Sequence, residues 1–220
     1  MRYKDYGPII QSELPLPLDV FTNDSRAKIG IITGCNGSGK TTTIRALSEE
    51  NRGLIPIMRH TTKDLRNTDF SYKKVSNESF EAMIDANALV EAALYGPGYY
   101  GTSIDNTRFS AQINGMAVVE MDIAAATVFK SRFRNISNYC IRSYLLNPFP
   151  QTAISPTDRY KIIMEKTERS NLSDREEIDR LKKAAITDYT QHDYDRVIST
   201  WDLNVDDVTE LINKDMTNGK

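Results

Sequence analysis

Residues 28–50 read KIGIITGCNGSGKTTTIRALSEE, and three kinds of local structure follow one another within them. The first six residues are a short β-branched run, the signature of a buried strand. The glycine-rich piece after it, GCNGSGKTT over residues 34–42, places Gly34, Gly39, Lys40 and Thr41 at the spacing G-x-x-x-x-G-K-[ST]. TTTIRALSEE continues as a helix, although its three threonines are weak helix formers. Strand, loop and helix in this order make a phosphate-binding loop. Glycines let successive backbone N–H groups turn inward around phosphate oxygens as a nest of fixed dipoles. The helix N-terminus adds its partial positive charge. Lys40 supplies a cation for the β/γ end of a triphosphate, and the Thr41 hydroxyl suits the shell of a Mg²⁺ ion. Gly34, Asn36, Gly37, Ser38, Gly39, Lys40, Thr41 and Thr42 are therefore the expected triphosphate-binding residues. Cys35 lies inside the loop and reads as a tolerated small residue, not as an activated thiol.

Working outward, the 220 residues suit one mid-sized domain with subdomains. A hydrophobic content of 40% and a charged content of 26% are ordinary for a globular protein. The net charge of −2 provides no broad basic field for a nucleic acid polymer or an anionic membrane. Two cysteines make no disulfide framework. No apolar run approaches the ~20 residues of a membrane span. MRYKDYGPII lacks the apolar core of a secretory signal. These features lead us to expect a cytoplasmic protein.

Before the decisive stretch, residues 1–27 contain Pro15 and Pro17 and read as an extended arm or docked irregular segment. After it, residues 58–78 suggest a small sheet with loops. Ser76 reads as an N-cap, with Phe80, Met83, Ile84 and Ala88 forming a helical stripe that runs to about Leu94. YGPGYYGTS, at residues 95–103, breaks that helix. GMAVVEMDIAA (115–125) reads as a buried strand ending in acids, and NYCIRSYLL (138–146) as another strand. Ser173 and Glu176 form a capping box before a helical face of Ile178, Leu181, Ala185 and Ile186. DRVIST (195–200) closes the strand series. LNVDDVTELI forms a last helix with Val205, Val208, Leu211 and Ile212 inward. Strands alternating with helices predict an α/β class with a mainly parallel sheet.

Downstream of the loop, RHTTKDLR offers Arg59, Lys63 and Arg66, ALVEAALYGPGYYGTS offers Glu91, Tyr100 and Thr102, and VVEMD offers Glu120 and Asp122. The two acids of VVEMD lie two apart and share one side of a strand. In these spaced motifs the chain resembles the guanylate kinase family, P-loop nucleoside monophosphate kinases, without a gap from Glu91 to Thr102 and in outline over residues 28–212. The resemblance implies a three-layer P-loop NTPase fold with a mainly parallel central sheet, a small nucleotide-monophosphate-binding subdomain and a helical lid. It divides the chain into an N-terminal extension (1–27) and a guanylate kinase-like domain (28–220). Within that domain the core comprises 28–57, 105–155 and 181–220, the monophosphate-binding subdomain about 58–104 and the lid about 156–180. It implies that Glu91 reads the guanine edge. Guanine presents N1–H and N2–H₂ side by side, which a carboxylate accepts as a pair, whereas adenine offers an acceptor at N1. Thr102 and Asp122 match further base-contacting positions, Tyr100 a donor to the acceptor phosphate, and Lys63 and Arg66 two phosphate clamps. Arg169 and Arg180 match lid arginines that stabilise the transferring phosphoryl group. Glu120 is the candidate for holding a Mg²⁺-bound water. His60 and His192 read as structural.

The chain departs from the family pattern at four places. Lys63 stands where the family has a clamp arginine and loses the planar fork. Phe70 stands where a tyrosine hydroxyl is usual, and Tyr72 replaces it if the register shifts by two. Arg59 stands where a serine lies near guanine O6, and Glu165 or Met164 where a further lid arginine belongs. The expected activity is ATP- and Mg²⁺-dependent phosphorylation of GMP or dGMP to the diphosphate. The alternatives are a kinase of a modified nucleotide or sugar phosphate, and a non-catalytic protein-binding module. The expected partner is a small nucleotide, with no nucleic acid polymer or membrane, and the chain as a monomer or homodimer.

Overall fold

In the computed structural model, the described residues are 7–9, 16, 27–49, 54–67, 69–95, 98–150, 152, 154–166, 182, 185 and 194–218. In chain order the first elements are β1 (Gly7–Pro8), β2 (Ala27–Thr33), α1 (Lys40–Glu49), β3 (Ile55–Pro56), β4 (Arg59–Thr61) and β5 (Tyr72–Lys74). Then come α2 (Asn77–Asp85), β6 (Leu89–Tyr95), β7 (Gly98–Ser103), α3 (Ile104–Asn114), β8 (Met116–Glu120) and α4 (Ile123–Phe133). The chain continues with β9 (Tyr139–Asn147), α5 (Pro156–Lys166), β10 (Arg196–Ser199) and α6 (Val205–Asn218). One sheet has the order β1-β6-β7-β4-β5 and the other β10-β9-β2-β8-β3, with parallel pairing at both ends of the latter. Parallel strands joined through helices make this an α/β fold. Among the described residues no helix is long and apolar enough to cross a membrane. The chain forms two compact units.

The first unit comprises residues 1–31, 53–119 and 124–142. It carries the whole β1-β6-β7-β4-β5 sheet. Glu91 of β6 faces Thr102 of β7, Thr102 faces Arg59 of β4, and Arg59 faces Tyr72 of β5. Directly opposed residues point to the same side of a sheet, so these four form one row across four strands. Two residues along, Ala93, Tyr100, Thr61 and Lys74 form the next row on that same face. The other face is apolar: Phe80 of α2 packs with Leu89, Ala92, Leu94 and Tyr99, and the Phe80 and Tyr99 rings stack at 5.1 Å. Gly101 is needed there, because a Cβ would stand 2.8 Å from the Phe80 ring and 2.9 Å from the Glu91 carbonyl oxygen.

The expected helix from Ser76 to about Leu94 is corrected at its second half. Ser76 is the N-cap, its hydroxyl accepting from the Ser79 N–H at 3.1 Å. The helix ends at Asp85, not Leu94. Asn87 turns left-handed at φ 50°, its N–H bonds the Ile84 carbonyl, and the Ala88 N–H bonds that of Met83. This is the Schellman closure, with asparagine in the position usually given to glycine. ALVEAALY therefore continues as strand β6. The piece expected only to break a helix, YGPGYYGTS, supplies β7, antiparallel to β6. The strand expected over 115–125 ends at Glu120, and Ile123 begins α4. The capping box at Ser173 lies outside the described residues.

The second unit comprises residues 32–52, 120–123 and 143–220. Here α1 packs with α6; Ile44 and Leu47 of the first and Val208, Ile212 and Met216 of the second are all buried. The Tyr144 hydroxyl donates to Asp215 at 2.8 Å, and Asp195 accepts from both the N–H and the hydroxyl of Ser143, tying β9 to the segment entering β10. Of the four residues expected inward on α6, Val208 and Ile212 are buried, while Val205 and Leu211 are half-buried.

Candidate active site

The phosphate loop of the second unit is set by backbone geometry that side chains resist. Gly34 has φ +148°, and a Cβ there would meet the Leu146 carbonyl oxygen at 2.5 Å and the Ser38 hydroxyl at 2.6 Å. No substituent fits that gap. The loop closes through Ser38 N–H to Cys35 O, and the helix starts with Thr43 N–H to Gly39 O at 2.8 Å. The first turn of α1 carries no acidic side chain, so its N-terminal field stays open to an anion. Lys40 Nζ donates to the carbonyls of Gly34 and Cys35, at 2.9 Å each. That holds its charge against the loop. The Ser38 hydroxyl is buried and has no hydrogen-bond partner among the described residues, an orphan that a phosphate oxygen would satisfy. The Thr41 hydroxyl donates to Glu120 Oε2 at 2.9 Å, at the C-terminal end of β8. A hydroxyl and a carboxylate side by side are hard oxygen donors of the kind Mg²⁺ takes with its waters. The residues present thus fit a Mg²⁺–triphosphate. Burial pushes the Cys35 thiol up to about 11 despite the charge of Lys40, so it stays protonated at neutral pH.

The row on the first unit's sheet forms a second, separate constellation. Glu91 and Thr102 are fully buried and Arg59 is 3% exposed. Arg59 donates through Nε to Thr102 Oγ1 at 3.1 Å, through one terminal nitrogen to Glu91 Oε1 at 2.8 Å, and through the other to the Tyr72 hydroxyl at 3.3 Å. Its guanidinium also lies 5.7 Å from the centre of the Tyr72 ring. The Thr102 hydroxyl donates to Glu91 Oε1 at 2.5 Å. Glu91 Oε1 therefore accepts twice. Glu91 Oε2 is buried and has no hydrogen-bond partner among the described residues. The expectation that Glu91 stands on or near a helix is replaced by a position on β6, which is what puts it beside Thr102 and Arg59.

Tyr100 sits one row along on the same face, edge-on to Tyr72 with ring centres 6.1 Å apart. Tyr72 thus shares the face with Tyr100 and Glu91. Lys63 follows β4, half-buried, with its Cβ close to Gly98. Arg66 is exposed and forks onto Asp69, through Nε at 3.2 Å and a terminal nitrogen at 2.8 Å. Burial would raise the Asp69 carboxyl, but hydrogen bonds from Arg66 and the charges of Arg66 and Lys63 outweigh it and hold it below the usual carboxylate range. Asp69 was missed in the sequence; an acid three residues from an arginine in a loop is too common to signal a role. The Arg59–Glu91 pair was also missed as a pair, though strand alternation in β4, β6 and β7 carried the signal. Asp122 lies in the second unit, half-buried, just before α4. Glu165 is exposed on α5, and Met164 packs against the cluster of Cys35, Phe149, Ile163 and Ala185. Arg169 and Arg180 lie outside the described residues.

A family profile described as "Guanylate kinase" matches residues 26–215. The guanylate kinase of Prochlorococcus marinus subsp. pastoris is 27% identical over 192 residues, covering 84% of this chain and 96% of the relative. That of Neisseria gonorrhoeae is 30% identical over 126 residues, 56% of this chain and 60% of the relative. Among solved structures, the guanylate kinase of Anaplasma phagocytophilum superposes with a TM-score of 0.61 at 16% identity, covering 89% of each chain, and shows a shared fold.

Proposed function

This chain belongs to the guanylate kinase family, and from that premise we propose that it transfers a phosphoryl group from ATP to GMP or dGMP, giving the diphosphate. The observation that carries the base assignment is Glu91, a fully buried carboxylate with an oxygen that lacks a donor. A buried acceptor left unmade is unfavourable, and a guanine N–H would satisfy it. Adenine, with an acceptor at N1, would leave it unmet.

The transfer is direct and in line, with no covalent enzyme intermediate. The loop from Gly34 to Thr42 cradles the ATP phosphates. Lys40 then moves its ammonium from the loop carbonyls to the β/γ oxygens. Arg169 and Arg180 add charge to the migrating group, whose transition state spreads negative charge over its oxygens. Thr41 and Glu120 would hold Mg²⁺, which would supply positive charge to neutralise the ATP phosphates. Lys63, Arg66 and Tyr100 hold the acceptor phosphate, and Thr102 and Arg59 frame the base with Glu91; Asp122 keeps the base-contacting role that the family resemblance gives it. Tyr72 brings a hydroxyl to the face from which Phe70 withholds one.

Glu91→Gln tests the assignment. It keeps the shape and replaces an acceptor by a donor, so kcat/KM for GMP should fall by about 10²-fold or more while ATP binding, measured by calorimetry, is retained. Unchanged GMP kinetics would remove Glu91 from the base site.

A further inference from the structure

Resting on the assignment of Glu91 as the base reader, we propose that Arg59 is a specificity-determining positioning residue that makes this site read the O6/N1–H edge of a 6-oxopurine without requiring the 2-amino group. A hypoxanthine nucleotide, inosine monophosphate, is then a second acceptor beside GMP.

The argument starts from the carboxylate. Two acceptor oxygens could take N1–H and N2–H₂ of guanine as a pair. In this chain Oε1 already accepts from the Arg59 guanidinium at 2.8 Å and from the Thr102 hydroxyl at 2.5 Å. Thr102 is itself committed, donating to Glu91 and accepting from Arg59 Nε at 3.1 Å. All three side chains stand in one row on neighbouring strands, so their mutual geometry is fixed by β-sheet register. Buried side chains bonded in this way do not rearrange without unpairing a charge. One oxygen, Oε2, is left without a donor among the described residues.

A guanine can approach one such oxygen in two ways. With N2–H₂ on Oε2, N1–H would face the side held by the guanidinium, donor against donor and toward a positive charge. With N1–H on Oε2, the O6 carbonyl faces that charge instead, and the attraction is favourable. The second arrangement wins, and it turns the 2-amino group away from Glu91. Guanine and hypoxanthine present the same O6 and N1–H, so the site treats them alike. Adenine presents the reverse pattern, a donor at N6 and an acceptor at N1, and is rejected by both partners.

The experiment compares kcat/KM for GMP and inosine monophosphate in the wild type and in Arg59→Ser. In the wild type we expect inosine monophosphate within about tenfold of GMP, the scale of one ordinary hydrogen bond. Removing the guanidinium frees Oε1 for N2–H₂, so in Arg59→Ser the preference for GMP should widen by about ten- to a hundredfold. A merely structural role for Arg59 would lower both rates together and leave the ratio unmoved. A wild-type deficit of more than about a thousandfold for inosine monophosphate overturns the proposal, and this measurement needs no variant to fold. A ratio that fails to widen in an Arg59→Ser protein that binds ATP overturns it as well. In either case loss of GMP turnover in Glu91→Gln keeps Glu91 as base reader. Wild-type turnover with neither nucleotide refutes that underlying assignment instead.

Discussion

At Cys35 two influences oppose each other: burial disfavours the thiolate, while Lys40, Lys166 and Arg159 favour it, and burial prevails. With the thiol pushed up to about 11, Cys35 should resist iodoacetamide in the native protein at pH 7.5, and peptide mapping should find it unlabelled. Stoichiometric labelling there would contradict the protonated thiol. Lys40 makes the opposite kind of prediction. Its ammonium already lies 2.9 Å from two loop carbonyls, so Lys40→Met removes a preplaced charge and little packing. Steady-state kinetics should show kcat reduced by about 10²–10³-fold, with the melting temperature nearly unchanged.

The β6–β7 hairpin carries Glu91 and Thr102, the residues of the proposed base site, and Gly101 is a tight point in it. Gly101→Ala would force a methyl against the Phe80 ring and the Glu91 backbone, at a cost of about 1–3 kcal/mol. Urea unfolding should show a lower midpoint with an unchanged slope. This hairpin was also where the sequence was hardest to read. Ala, Leu and Glu in ALVEAALY favour a helix, and the stripe from Phe80 to Ala88 runs into it without a proline or glycine. The boundary was present in Asn87, whose tolerance of φ 50° ends α2, but asparagine is a weak marker beside Gly. Burial in a sheet then overrode local propensity. By contrast β2 and the loop after it were legible, because the chemistry of phosphate binding fixes glycines, lysine and threonine at set spacing. The partnership of Arg59 with Glu91 was hidden for a different reason. It joins residues 32 apart on strands that are not neighbours, and only the register through Thr102 brings them together.

For the whole molecule, His60 supplies a pH dependence. It is buried, its Nδ1 has no hydrogen-bond partner among the described residues, and burial, then the charge of Lys73, holds its pKa below 6.5. The unfolded imidazole takes a proton near pH 6.5 and the folded one does not, so below that pH the unfolded state binds more protons. Stability should therefore fall as the pH drops from 6.5 toward the folded pKa, by up to about 1.4 kcal/mol per pH unit. Thermal melts of His60→Asn should lack that part of the acid limb. Activity belongs to this scale too, because the proposed transfer draws on residues of the whole chain. The most direct measurement is ADP release from Mg²⁺–ATP across GMP, dGMP, AMP, UMP and ribose 5-phosphate. Release with GMP or dGMP and only background with AMP, UMP and the sugar phosphate is the predicted result. Release with AMP or the sugar phosphate, and none with either guanine nucleotide, would contradict it.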